Sequence, residues 1–430
     1  MRLSKSAVNS ALLISEKICV IGFAFVVSIL LARIGGPKLF GQYAYITSFA
    51  SLFSPLCVMG LNNIVTKYVV KYPHNSHYYV KSALTIRLAG AISSLILGMI
   101  IVVLMNQAVE LSINILLLLT FQTFNFLLVY EYFFLARKQV LPTLAVRITV
   151  VVVANTIKVI TILYSQNLLL LVLIQGLEYA LVGISYHVIY RKNLYNKIIT
   201  RPLGKHASLI MFHKGKWLLL SGVAAIIYMK IDQVMLANMI SEEEVAFYAA
   251  AAKLSEFWYA FPILIANAYT AQLIEQRRQG VALFNNLITN LLSKLIAAAI
   301  LVSVTTYFLS NVIIDLVYGE QYQASAPILS IHIFASIFVF QRAIFSKWII
   351  INNVLKYSLF TTGLGALINV ILNIVLIPKL GGIGAAWATL FSYATANYFG
   401  LFLAKSTLPF AKLMTLSFTH LFKIPTKRVK

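Results

Sequence analysis

Leu376-Ile377-Pro378-Lys379-Leu380-Gly381-Gly382-Ile383-Gly384-Ala385-Ala386-Trp387-Ala388-Thr389 joins two long apolar runs, Tyr357 to Ile377 and Ile383 to Ala404. Pro378 ends the first run, and Gly381 and Gly382 supply the turn. Gly384 to Ala388 give the second run a small-residue face on which another helix can pack closely. Each run is about 20 residues long, the length a helix needs to cross a hydrocarbon core. Two such runs on a tight turn predict a transmembrane helical hairpin.

The pattern repeats outward along the chain. Further spans are predicted at Ala11 to Ile34, Tyr43 to Val65, Ala83 to Met105, Leu111 to Ala136, Thr143 to Tyr164 and Leu168 to Tyr190. A second set follows at Trp217 to Ile240, Ala246 to Leu273, Ile288 to Ser310 and Ala326 to Ile350, before the closing pair. That makes about twelve helices by the window-length rule. The runs are too long, and alternate too little, for the strands of a membrane barrel. Composition agrees: 60% of the 430 residues are hydrophobic and only 11% charged, where a soluble domain carries about 25%. The expected fold is all-α and integral to the membrane, with six helices on each side of a central cavity. The expected organisation is an N-terminal bundle (1–190), a basic cytoplasmic linker (191–216), a C-terminal bundle (217–404) and a basic cytoplasmic tail (405–430).

The few charges sort by loop. One set of connections carries Arg2 and Lys5, then Lys67, Lys71 and Lys81, then Arg137 and Lys138. Arg191, Lys192, Lys197, Arg201, Lys205, Lys214 and Lys216 crowd the central linker, followed by Arg277, Arg278, Lys356 and the tail from Lys412 to Lys430. The opposite connections are poor in cations and hold Glu110, Glu242, Glu243, Glu244, Asp315 and Glu320. The positive-inside rule then places both termini in the cytoplasm.

The net charge of +23 belongs to this loop bias and to anionic headgroups. No basic domain exists to bind nucleic acid. Cys19 and Cys57 fall inside spans and are expected to be packing residues. The first run is long and interrupted by Glu16 and Lys17, so it reads as a permanent span and not a cleavable signal. His74 and His77 fall in a cytoplasmic loop and are expected to be solvated; no metal site and no cofactor are expected. No GxxxxGK[ST] loop occurs, and nothing resembles an ATPase domain.

The central linker divides the spans six and six. A similar word follows the first helix of each half: Leu39-Phe40-Gly41-Gln42-Tyr43-Ala44, then Glu244-Val245-Ala246-Phe247-Tyr248-Ala249. Six helices return the chain to its starting side, so this would be a parallel repeat.

Four stretches carry a family resemblance. They are Arg33-Ile34-Gly35 through Phe40-Gly41-Gln42-Tyr43; Ile231-Asp232-Gln233-Val234-Met235-Leu236 through Tyr248 to Glu256; Tyr318-Gly319 through Ala326-Pro327-Ile328-Leu329; and the closing hairpin. In order and spacing the chain resembles the polysaccharide-transporter branch of the multidrug/oligosaccharidyl-lipid/polysaccharide exporter superfamily, and within it bacterial O-antigen repeat-unit flippases. Ala237 and Ala246 depart from the family's usual Gly, and Thr270 stands where Pro is frequent. The resemblance implies a MATE-like fold in the bacterial inner membrane and an undecaprenyl-diphosphate-linked oligosaccharide as substrate. Membrane lipids, a polysaccharide polymerase and chain-length proteins are the partners it implies.

A charge at bilayer depth costs about 2.5–3.5 kcal/mol on insertion scales. Lys17, Arg147, Lys294 and Lys347 lie near cytoplasmic ends and can snorkel, and Glu131 lies near Arg137. Lys158, Glu178, Lys230, Asp232, Lys253, Glu256 and Arg342 are deeper. Lys253 and Glu256 share a helix face, whereas Lys230 and Asp232 point differently and each needs a partner on another helix. Two readings compete for these seven: structural ion pairs between helices, or the lining of a hydrated cavity. In the second, Lys158, Lys230, Lys253 and Arg342 attract the diphosphate, and Trp258 and Tyr259 stack on sugars. Asp232, Glu256 or Glu178 then binds a coupling H⁺ or Na⁺. A multidrug exporter of related fold and a membrane-embedded polymerase or ligase are the competing functions. The cation-rich interior argues against the first. The short loop near Asn311 to Ser325, which shows no catalytic residue set, argues against the second.

Overall fold

The computed structural model describes residues 5–194, 205–354 and 356–422. Residues 195–204 of the expected linker, with Lys197 and Arg201, lie outside the described residues, as do Arg2 and tail residues 423–430. Every described element is helical. In chain order they are α1 (Lys5–Val58), α2 (Asn62–Lys71), α3 (Ser76–Met105), α4 (Val109–Gln122), α5 (Val129–Ala136), α6 (Val140–Tyr164), α7 (Leu168–Leu194) and α8 (Lys205–Met239). Then come α9 (Glu242–Glu256), α10 (Ala260–Ala268), α11 (Thr270–Gln279), α12 (Val281–Tyr318), α13 (Ser325–His332), α14 (Ala335–Ile351), α15 (Lys356–Asn397) and α16 (Leu408–Phe422). Two compact units divide the chain, residues 1–226 and 227–430.

Among the described residues, nine helical segments are long and apolar enough to cross a membrane. Two of them are double passes. A straight 54-residue helix would be about 80 Å long, against a hydrocarbon core of about 30 Å. α1 is broken at Gly36 (φ 74°, ψ 176°), a conformation reserved for glycine, and α15 at Gly381 (φ 55°, ψ −133°). A further pass, from α9 to α11, is interrupted by a 3₁₀ turn at Phe257–Tyr259 and by a break at Tyr269. With these, the expected count of about twelve spans stands.

Several spans are less regular than their composition predicts. The span expected over Tyr43 to Val65 stops at Val58, because Met59 (φ 54°) and Gly60 (φ 63°) are consecutive left-handed residues that no right-handed helix passes. The span over Leu111 to Ala136 tightens into a 3₁₀ stretch at Thr123–Leu128. The Thr270 hydroxyl bonds back to the Ala266 carbonyl at 2.8 Å, which bends a helix without help from proline. Within the segment read as a tail, α16 packs Phe410, Ala411 and Met414 into the core of the second unit with Phe345 and Trp348.

The helices carry large apolar side chains on their outer faces as well as in the core, and some polar ones turn inward. On α12, Phe308 and Leu316 are 75% and 74% exposed, while Ser303, Thr306 and Ser310 are buried. On α3, Val103 and Leu104 face outward, and Ser82, Gly90, Ser94 and Gly98 face inward. Lipid rewards outward apolar side chains no less than a core would, so small and weakly polar residues take the helix–helix contacts. Ser303 donates to the Ile333 carbonyl at 3.2 Å, which satisfies its hydroxyl inside the bundle.

The small residues set the spacing. A Cβ on Gly90 would lie 2.2 Å from the Leu56 carbonyl oxygen, and one on Gly384 would lie 2.4 Å from that of Leu376. The closing hairpin is tied from outside as well: the Gly382 N–H donates to Glu244 Oε2 at 2.8 Å. Glu244 opens the second copy of the repeated word, so that word holds the Gly381-Gly382 turn of its own unit. Gly90→Val is expected to lower the melting temperature in detergent by an amount equivalent to about 2 kcal/mol, the scale of overpacking. Gly22→Ala, where a Cβ meets nothing within 4 Å, is expected to leave it unchanged.

Candidate functional site

The most complete polar constellation lies in the second unit. Asp232, on α8, is 1% exposed. Its Oδ2 accepts from the Tyr248 hydroxyl of α9 and from the Thr389 hydroxyl of α15, both at 2.7 Å. Its Oδ1 accepts from the Asn373 amide, also on α15. Asn373 donates onward to Asn369 Oδ1 at 3.2 Å, and its own Oδ1 is buried with no hydrogen-bond partner. The arrangement draws on both sides of the Gly381 break: Asn369 and Asn373 are one turn apart before it, and Thr389 follows it. Among the described residues, no lysine or arginine lies within 4 Å of Asp232, whose donors are all neutral.

A buried carboxylate with neutral donors alone lacks half its normal compensation. Hydroxyl, amide and carboxylate oxygens are the donor set of a hard cation, and a proton on Asp232 would equally remove the charge. His332 sits beside the cluster, edge-on to Tyr248 at 5.6 Å between ring centroids and bonded through Nδ1 to Ser255.

Lys230 lies two residues before Asp232 and points elsewhere, as the two-residue offset requires. Its Nζ meets Glu256 Oε2 of α9 at 3.4 Å. Both side chains of that pair are about a quarter exposed. Lys253 is half-buried, one turn before Glu256 on the same helix. Arg342 of α14 has no acidic partner among the described residues: its guanidinium donates to Thr361 and Ser358 of α15, each at 3.1 Å, and lies over the Phe345 ring. Trp258 packs on Phe261, with ring centroids 5.5 Å apart, and Tyr259 is buried against Tyr393.

The remaining two charges belong to the first unit. Lys158 of α6, 3% exposed, donates to Glu178 Oε2 at 2.7 Å and to Gln175 Oε1 at 2.8 Å, both on α7. Tyr43 donates to the same Gln175 oxygen at 3.0 Å. This lysine is compensated inside its own bundle. The seven deep charges are therefore not one cluster: two pair across α6 and α7, and five lie in the second unit.

Other charges depart from the simplest reading of their position. Arg147, expected near a cytoplasmic end, is paired with Glu16 at 3.4 Å and Glu131 at 3.2 Å. Arg137, the neighbour expected for Glu131, instead donates to Ser76 at 3.0 Å and lies over Phe133. His77 is engaged by the Tyr190 hydroxyl at 2.8 Å and packs on Phe133.

Sequence reasoning passed over Arg87. It is 1% exposed on α3 and reaches the end of α1, where Nε donates to the Val58 carbonyl at 3.2 Å and Nη2 to Asn62 Oδ1 at 2.8 Å. It thus caps the helix end at the Met59-Gly60 break, where a cation is favoured by the helix dipole. The signal was present, a lone arginine inside the Ala83 to Met105 run. Tyr248, Asn369, Asn373 and Thr389 carried a weaker one, neutral polar side chains recurring within spans.

Lys158→Met strands the Glu178 carboxylate and is expected to cost about 3 kcal/mol in denaturant unfolding from micelles. Lys158→Met with Glu178→Gln is expected to recover most of that loss.

The fold has solved counterparts. The lipid II flippase MurJ in an inward closed conformation superposes with a TM-score of 0.72 and 15% identity, over 98% of this chain and 93% of that one. An inward-facing multidrug-resistance MATE family transporter of the MOP superfamily gives 0.60 and 14%, over 94% and 96%. A mutant of the Vibrio cholerae MATE transporter VcmN gives 0.56 and 13%, over 96% and 99%. At these identities the likeness is one of fold. A stretch of 104 residues is 36% identical to the uncharacterized membrane protein MJ1068 of Methanocaldococcus jannaschii, covering 24% of this chain but only 20% of that protein's length. Residues 6–274, which include nearly all of the first unit and the Asp232–Tyr248 contact, match the polysaccharide biosynthesis protein family, and the chain belongs to it.

Proposed function

We propose that this multi-pass membrane protein is a flippase. It carries an undecaprenyl-diphosphate-linked oligosaccharide, such as an O-antigen repeat unit, from the cytoplasmic to the outer leaflet of a bacterial inner membrane by alternating access. The family match and the MurJ-like fold support the class of substrate. The observation that carries the energetic part is Asp232: a fully buried carboxylate set among hydroxyl and amide groups, with no cationic side chain beside it among the described residues.

The chemistry follows from solvation. A sugar diphosphate drawn through lipid leaves hydroxyls and phosphates without partners, which is prohibitive. The protein must replace water along the way. Arg342, held by hydroxyls, keeps charge available for a phosphate. Lys230, which is shared with Glu256, and Lys253 are the further deep cations of the second unit. Lys158, closed by Glu178 and Gln175, serves the substrate less directly than the other three.

Energy comes from two sources in this reading. With the cytoplasm negative, the membrane field favours outward movement of an anionic headgroup by about 2.3 kcal/mol per charge per 100 mV. A proton or Na⁺ taken up at Asp232 and released inside resets the carrier. Glu256 and Glu178 are secondary candidates, because each already has a lysine partner. The termini face the cytoplasm, where the basic loops lie.

Deleting the gene is expected to abolish surface polysaccharide and to leave lipid-linked oligosaccharide in the inner leaflet. The wild-type gene is expected to restore export. Asp232→Asn and Arg342→Gln, expressed at wild-type levels, are expected to restore a tenth or less, the scale of one lost charge-assisted contact. Undiminished surface polysaccharide in the deletion strain would defeat this reading.

A further inference from the structure

The first unit contains a cavity of about 430 Å³ that the proposed coupling site does not use. It is walled by α1, α5, α6 and α7, and its polar floor is the Glu16–Arg147–Glu131 triad. Glu131 lies six residues before Arg137, and Arg147 seven residues after the start of α6. The floor is thus about 10 Å along the helices from the basic turn that joins them, by the rise per residue. Tyr132 and Tyr186 also line it. The size falls within the range of small-ligand pockets.

The charges decide what fits. Glu16 and Glu131 are balanced by Arg147 and by Lys17, which also lines the cavity, so the site is formally neutral. A free anion would meet two carboxylates, and a simple cation would meet a guanidinium and an ammonium. A wholly apolar guest would leave the second oxygen of each carboxylate, the one not given to Arg147, facing hydrocarbon. Each carboxylate, by contrast, gives one oxygen to Arg147 and keeps the other, and Arg147 remains 31% exposed. Acceptors and donors are therefore presented side by side, already oriented by the ion pairs. A molecule whose neighbouring groups each donate and accept, and which has one apolar face, matches that floor and the apolar and aromatic side chains, Tyr132 among them, that line the rest of the cavity.

We propose that this cavity is a sugar-binding subsite, which takes a neutral pyranose of the oligosaccharide before translocation. Glu16, Glu131 and Arg147 hold its hydroxyls, and Tyr132 meets its ring face. The inference rests on the flippase reading and assigns the sugar to the first unit, apart from the cations proposed for the diphosphate.

The test uses the full chain in nanodiscs and a panel of methyl glycosides of common hexoses, N-acetylhexosamines and 6-deoxyhexoses. These probes carry neither lipid nor phosphate. At least one is expected to bind by saturation-transfer NMR, with affinity reduced tenfold or more in Glu131→Gln and Arg147→Lys, the scale of a lost charge-assisted hydrogen bond. Leu135→Trp, which fills the cavity from its exposed rim, is expected to abolish binding while leaving the melting temperature unchanged. In proteoliposomes the same variants are expected to raise the KM for lipid-linked oligosaccharide with little change in maximal rate. No binding by any glycoside, or equal binding by all variants, overturns the subsite even if the wild type translocates its substrate. Glycoside binding that is lost in the variants, in a protein that moves no lipid-linked oligosaccharide, would keep the subsite and overturn the flippase reading.

Discussion

Hydrocarbon offers no hydrogen bonds, so each polar group carried into it must find its partner within the protein. This constraint explains why α12 turns Ser303 inward to a carbonyl while Phe308 and Leu316 face outward. It explains why Lys158 is closed by Glu178 and Gln175, and Arg147 by two carboxylates. Asp232 stands out among the carboxylates inside the spans: Glu16, Glu131, Glu178 and Glu256 each meet a cation, whereas its compensation is neutral. A site that is one charge short is what reversible uptake of a cation requires.

The same constraint governs the helix breaks. Each break frees backbone groups that must be bound again. At Met59-Gly60 the buried Arg87 takes the Val58 carbonyl, and at Gly381-Gly382 the Glu244 carboxylate takes the Gly382 N–H. Opposite charges thus serve opposite backbone groups, a guanidinium at a helix end rich in carbonyls and a carboxylate at a turn that exposes N–H. Asn369, Asn373 and Thr389 reach Asp232 only because the chain folds back at Gly381. The proposed coupling site therefore depends on the turn that Glu244 holds.

Much of this was legible in the sequence. Apolar run length and loop charge marked the passes, and the Pro378-to-Thr389 stretch marked the last hairpin. The two-residue spacing of Lys230 and Asp232 required partners on other helices, and both have them. The breaks inside spans were harder to see, because Met59, Tyr269 and Phe257 carry no composition signal; backbone conformation decides there. α16 was hidden by the basic residues around it, although Phe410 and Met414 are one turn apart and both buried. Of the Asp232 cluster the aspartate alone gave a clear signal, since tyrosine, threonine and asparagine are common in membrane helices for other reasons. Arg147 shows a further limit: distance from a helix end says nothing of the two carboxylates that the fold brings to it.

The central claim is that a protein of this fold moves a charged sugar lipid and that Asp232 couples the movement to a cation. It is tested most directly by reconstituting the purified chain in liposomes with a fluorescent undecaprenyl-diphosphate oligosaccharide. Transfer between leaflets is followed by quenching, with and without an imposed proton or sodium gradient. The account predicts protein-dependent transfer that one of the two gradients accelerates in the wild type and leaves unaffected in Asp232→Asn. Transfer no faster than in protein-free liposomes, or an equal gradient response in both proteins, would contradict it.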